Sequence, residues 1–196
     1  MASSETQVAN LALSKITGAR LESLQDDCKE ARWANELFGQ ARDYVTESAL
    51  WRHSKKTLQL EQVTNDRVND YTYAYNRPSD CLKLAWLLPQ YGGFDPRYPI
   101  RFETEGDTIY TDEPLARGVY CRQVTDVTKF VPSFTDADAW YLAHLLVTPL
   151  RLENSLIGLT LQGYTAAVAH AISMGAAEQL IIWTADEQMA DFHRGR

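Results

Sequence analysis

Apolar positions return every three or four residues at both ends of the chain and every second residue in its middle, a pattern that predicts helices on either side of a sheet. Val8, Leu11, Ala12 and Ile16 mark a short first helix over about residues 5 to 17. The capping-box order Ser4-Glu5-Thr6-Gln7 starts it and Gly18 supplies a left-handed end. Cys28, Ala31, Asn35, Phe38, Ala41, Arg42, Val45 and Ala49 mark a longer second helix that begins behind Asp26-Asp27 and ends near Trp51. Its alanines let a neighbouring helix approach, while Trp33, Phe38, Tyr44 and Trp51 supply bulk for the core.

From Lys56 the period becomes two: Leu58 and Leu60, then Tyr71, Tyr73 and Tyr75, then Leu82, Leu84, Trp86 and Leu88. Arg77-Pro78-Ser79-Asp80 reads as a turn, because proline fixes its own φ and biases Arg77 to an extended conformation. Pro89 to Pro99, with Gly92-Gly93, is the longest irregular segment. Ile100 and Phe102 resume the alternation, Glu105-Gly106-Asp107 turns the chain, and Ile109 and Tyr110 return it as a hairpin. Five or six strands are expected, antiparallel because the connections are too short for crossovers. Ser133 is placed to cap a third helix carrying Phe134, Ala137, Trp140, Tyr141, Leu145 and Leu146, which Pro149 ends. A last helix is expected from about Ser155 to Met189, with Leu156, Leu159, Gly163, Ala166, His170, Met174, Ala177, Ile181 and Ala185 on a nearly heptad stripe. Even 30 of its positions would reach roughly 45 Å, so part of it is expected to project toward a partner. The fold expected is α+β, an elongated bundle of about four helices, two from residues 1–54 and two from 132–196. An antiparallel β-sheet module, residues 55–131, is inserted between them, and the whole forms one compact unit.

Composition narrows the function. With 196 residues, 45% of them hydrophobic, the chain can bury one substantial core. No apolar run is long enough for a membrane span, and the N-terminus has no basic stretch leading into an apolar one, so neither membrane insertion nor secretion is expected. Cys28, Cys81 and Cys121 are far apart and in no paired spacing, which suits reduced, largely buried side chains. A net charge of −7 has the wrong sign for gripping phosphates.

No reaction centre emerges from the motifs. Gly158 to Thr165 has phosphate-loop spacing, but Tyr164 stands where the lysine is needed, and close helix contact accounts for the glycines. His53, His144, His170 and His193 fall in no metal-ligand spacing, although His144 and His170 lie on helices that could face each other. Glu103, Glu105 and Asp107 cluster at a hairpin turn, and a carboxylate pair is what a glycoside hydrolase uses. A turn without apolar neighbours would leave them solvated, with no raised pKa to make an acid. No catalytic residue, cofactor or metal site is therefore assigned.

Three segments carry a resemblance: Val8-Ala9-Asn10-Leu11-Ala12-Leu13-Ser14-Lys15-Ile16 with a second helix ending in Trp51; Tyr73-Ala74-Tyr75-Asn76-Arg77-Pro78-Ser79-Asp80-Cys81-Leu82-Lys83; and a closing block. That block runs Ile109-Tyr110-Thr111-Asp112, Tyr120, Val124-Thr125-Asp126, Phe130, Pro132, Phe134, Ala139 and Leu142-Ala143. Together they resemble the head-to-tail adaptor proteins of tailed bacteriophages, the family that includes the tail tubular protein A of short-tailed phages. Arg77 before the proline and His53-Ser54 after the tryptophan depart from the family pattern. The resemblance implies a structural virion protein, assembled in the host cytoplasm. It would form a ring, typically a dodecamer of neighbouring adaptor subunits, docked on the portal protein and offering a platform to the tail nozzle or tube. DNA would pass through the lumen without sequence-specific binding, which an acidic lining suits.

Exposed aromatics and arginines are the side chains such interfaces favour. Tyr91, Phe94 and Tyr98 are candidates for a subunit or tail interface, and Trp183, Met189, Phe192, His193, Arg194 and Arg196 for the portal contact. The alternatives are a peptidoglycan-cleaving, lysozyme-like tail hydrolase and a small cytoplasmic module whose Tyr/Trp-rich sheet binds a ligand.

Overall fold

The computed structural model describes residues 4–175. The protein is α+β, with four helices and two antiparallel sheets among the described residues. It forms two compact units in place of the one expected: a helical unit combining the chain up to His53 with the chain from Val124 onward, and a β unit spanning Ser54–Gln123. The β unit closes at Gln123, short of the expected 131, because Val124, Val127 and Phe130 are buried in the helical core.

In the helical unit, α1 (Glu5–Ser14) starts as expected, with the Ser4 hydroxyl accepting from the Gln7 N–H at 3.2 Å. It ends earlier than expected because the Thr17 and Gly18 N–H groups both turn back to the Leu13 carbonyl, with Gly18 at φ +72°. α2 (Lys29–Ser48) begins later than the two aspartates suggested. The Asp26 carboxylate is committed to the preceding loop, accepting from the Glu22 and Ser23 N–H groups at 2.9 and 3.1 Å. At its other end the Trp51 indole N–H donates to the Val45 carbonyl at 2.7 Å, satisfying one orphan acceptor of the last turn.

α3 (Pro132–Val147) takes Pro132 as its first residue, with Val131 extended before it, so Ser133 is not the cap. A proline fits there because the first helical N–H needs no partner. Trp51, Phe130 and Phe134 meet edge to face, with ring centroids 5.1 and 4.7 Å from Phe134, and His53 packs on the same ring at 4.5 Å. α4 (Ser155–Ser173) stops well short of Met189: Gly175 is left-handed at φ +63° and its N–H turns back to the Ile172 carbonyl. The remainder of that expected helix lies outside the described residues.

The β unit has seven strands, more than the five or six expected. β1 (Lys55–Gln59), β7 (Arg117–Arg122) and β4 (Cys81–Leu88) form one sheet in the order β1-β7-β4. β2 (Gln62–Val63), β3 (Tyr73–Asn76), β6 (Thr108–Thr111) and β5 (Phe102–Glu105) form the other, in the order β2-β3-β6-β5. β2 is two residues long, too short to show an alternation. β5 and β6 pair Glu105 with Thr108 across a two-residue turn in which Gly106 is left-handed at φ +56°. Leu58 within β1 is exposed, whereas Leu60, just past the end of that strand, is buried against Gly118. Gly118 in β7 leaves the room that Leu60 and Leu84 fill: a Cβ there would lie 3.1 and 3.2 Å from their methyl carbons.

The two glycines of the phosphate-loop-like segment differ. A Cβ on Gly163 would lie 2.5 Å from the Trp140 ring, whereas Gly158 faces open space and makes no close contact. Gly163→Ala is therefore expected to destabilise the fold by about 1–3 kcal/mol despite alanine's better helix propensity. Gly158→Ala should stabilise it by about 0.5–1 kcal/mol. Urea unfolding of the two variants checks this, and equal effects would contradict it.

Candidate functional site

The irregular segment between β4 and β5 is braced at its root. The Arg117 guanidinium donates to the Pro89 and Gly92 carbonyls at 3.0 and 2.6 Å, and Arg97 and Asp95 pair at 3.0 Å. Phe94 turns inward onto Trp86, with ring centroids 4.8 Å apart. Tyr91 and Tyr98 instead stand in solvent at 82% and 78% exposure. Of the three candidates on this loop, two therefore stand exposed while the third packs on the sheet. Trp183, Met189, Phe192, His193, Arg194 and Arg196 lie outside the described residues.

The turn carboxylates are less isolated than expected. Arg67 gathers Glu103 at 2.9 Å, and Glu105 and Asp70 at 3.3 Å. It also lies over the rings of Tyr71 and Tyr110, while Arg101 covers Tyr71 as well. The Arg67 hydrogen bond holds the Glu103 carboxyl below its ordinary range, the opposite of what an acid catalyst needs. This cluster was invisible in the sequence because Arg67 sits in an irregular stretch far from its partners. A second polar cluster joins β1 and β7 to the turn before β4: Asp80 accepts from Lys56 and from the Tyr120 hydroxyl, both at 2.8 Å. Burial pushes the Asp80 carboxyl up, but those two hydrogen bonds outweigh it and leave it below its usual value.

A cleft of about 660 Å³ in the β unit is lined by Leu58, Leu60, Glu61, Asn76, Arg77 and Asp107, among others. Arg77 is not free to serve a ligand there, since it donates to the Cys81 and Leu82 carbonyls at 2.8 and 2.6 Å. The arginine that departs from the adaptor pattern thus ties its own turn together.

Asp138 is the group that sequence reasoning missed. It lies four residues after Phe134 on the buried side of α3, is fully buried, and neither carboxylate oxygen has a hydrogen-bond partner. Burial pushes its carboxyl up to about 8; the Arg42 charge pulls against that rise and Asp43 adds to it. Arg42 itself donates to Asp43 at 2.8 Å. The signal available was helical spacing, which places position 138 on the same face as Phe134. A proton-rich acid is thereby held at neutral pH, but at zero exposure no substrate reaches it.

His144 Nδ1 lies 3.3 Å from both the Ile157 carbonyl and Thr160 Oγ1, while His170 is exposed farther along α4, so the two do not converge. Among the described residues no group of His, Cys, Asp and Glu is placed to hold a metal ion, and no helix is long and apolar enough to cross a membrane. Cys81 and Cys121 are buried and Cys28 is half-buried. No family model matches the sequence, and no curated protein matches it.

The folded chain keeps the Asp138 proton up to about pH 8, whereas the ordinary value, which the unfolded chain is taken to have, is 3.8. The stability it contributes is full below the lower value and is lost as pH rises toward the upper one, at about 1.4 kcal/mol per pH unit. Urea unfolding at about pH 5.5 and about pH 7.5 should show the native chain losing roughly 2–3 kcal/mol more than Asp138→Asn does. Parallel losses in the two proteins would contradict the assignment.

Proposed function

We propose that the chain is a structural virion protein: an adaptor subunit that joins neighbouring copies in a ring between the portal vertex of a phage capsid and the tail or nozzle. In the elongated bundle that this implies, DNA passes through the ring during ejection. The observation that carries the reading is the braced loop with Tyr91 and Tyr98 in solvent. Two large aromatics held outward on an anchored loop serve no core, and tyrosine is a residue type on which interfaces concentrate their energy. The helix–sheet–helix order and the sequence blocks that resemble the adaptor family support the same reading.

The hydrolase reading has less behind it. It needs a raised acid beside a second carboxylate in an accessible cleft. Here the raised acid is enclosed and the accessible carboxylate is held low by Arg67. The ligand-binding reading has a cleft to point to, but its arginine is already committed to backbone carbonyls.

Electron microscopy of the purified chain mixed with portal rings of its own phage tests the proposal. A second annulus should appear against the portal, and an unchanged portal would refute it. Tyr91→Ala combined with Tyr98→Ala should leave unfolding stability within about 0.5 kcal/mol of the native chain. The same pair should weaken assembly or tail attachment at least about tenfold, and unaffected assembly would remove the loop from the interface.

A further inference from the structure

We propose that the free edge of β1 takes an added strand, an extended segment of a partner protein that carries a basic side chain toward Glu61 and Asp107. β1 ends the order β1-β7-β4 and pairs with β7 without a shift of register. The Leu60 N–H donates to the Ala116 carbonyl and the Ser54 carbonyl accepts from the Arg122 N–H, so the even-numbered residues turn their main-chain groups toward β7. Thr57 and Gln59 therefore turn theirs away, and both residues are exposed. Their N–H groups and carbonyls have no main-chain partner among the described residues. The other sheet edges are guarded in familiar ways. β4, at the far edge of the same sheet, has two register shifts and is buried along its second half. β2 has only two residues, and at β5 Arg67 gathers Glu103 and Glu105. β1 has its lysines at positions 55 and 56, ahead of the open stretch, and Lys56 is held by Asp80.

The cleft beside this edge selects the occupant. Leu58 and Leu60 supply its apolar lining, and Glu61 and Asp107 its charge. The neighbouring cations are committed, Arg77 to the Cys81 and Leu82 carbonyls and Arg117 to those of Pro89 and Gly92. Glu61 and Asp107 are exposed and form no ion pair among the described residues. Only extended backbone meets a row of outward strand groups, which excludes a helix, and the two carboxylates repel a nucleic acid. A strand lying about 4.8 Å from β1 sends alternate side chains to the cleft face. An apolar one covers Leu58, which is 42% exposed, and a basic one meets the carboxylates. Main-chain bonds supply the affinity of such a contact, and the cleft supplies its choice of side chain. β1 and β4, from which the Tyr91 loop departs, are opposite edges of one sheet. The strand contact does not rest on the adaptor reading.

Nuclear magnetic resonance of the full chain, titrated with end-blocked peptides of about nine residues, tests it. One peptide alternates threonine with valine and arginine, and the other carries glutamate in place of arginine. The arginine peptide should shift the Thr57 and Gln59 amide resonances and slow their exchange with solvent. It should bind at least about tenfold more tightly than the glutamate peptide. Thr57→Pro removes an outward N–H and spares the main-chain bonds to β7, so the sheet should persist while peptide binding falls about tenfold or more. Should that variant misfold, Glu61→Gln combined with Asp107→Asn, both at the surface, should bring the two peptides to within about threefold of each other. No binding up to about millimolar peptide, equal binding of the two peptides, or perturbation confined to other residues overturns the proposal. Self-association that Thr57→Pro abolishes, without peptide binding, also overturns it and assigns the edge to a second copy.

Discussion

The aromatic contact of Trp51, Phe130 and Phe134 is the constraint on which the organisation of the chain depends. The helical unit is built from two separate stretches of sequence, so it folds only if the end of α2 and the start of α3 are brought together. The three rings do this edge to face, and the Trp51 indole is fixed by its bond to the Val45 carbonyl. The β unit meets the matching requirement within itself. Arg122 N–H donates to the Ser54 carbonyl at 2.9 Å and Lys55 pairs with Cys121, so its first and last strands lie side by side. The helical unit alone is interrupted in sequence, and the inserted β unit begins and ends on neighbouring strands.

Four helices and an antiparallel β region were legible because each follows from period and punctuation. Ser4 and Gly18 bracket α1, the three- and four-residue spacing marks α2, and Gly106 marks the β5–β6 hairpin. What escaped was decided by side chains bonding at a distance. Asp26 was spent on its own loop and delayed α2, and Pro132 displaced Ser133 from the helix start. Gly175 ended α4 although the apolar stripe continues past it. Of the candidate surface, Tyr91 and Tyr98 were recognisable from a proline- and glycine-rich loop. That Phe94 turns inward could not be read, because Trp86 lies on a neighbouring strand.

The polar groups divide by burial in a way that bears on function. Carboxylates at the surface of the β unit are matched by Arg67, Lys56 and tyrosine hydroxyls. Asp138 alone among the described carboxyl groups is fully enclosed, and its raised proton affinity is a cost to the helical unit with no substrate path to use it. Apolar surface is distributed the other way, with Tyr91 and Tyr98 outward on a braced loop and Leu159 and Leu161 outward on α4. Outward tyrosines on a braced loop are the kind of surface that holds another protein, and this is what supports the adaptor reading proposed above.

The protein composition of purified virions tests that account most directly. Quantitative mass spectrometry of tailed particles from a phage encoding this chain should find it in fixed proportion to the portal protein, retained after the washing that removes lysate proteins. Its absence from those particles, with the chain recovered only in the soluble lysate, would contradict the account.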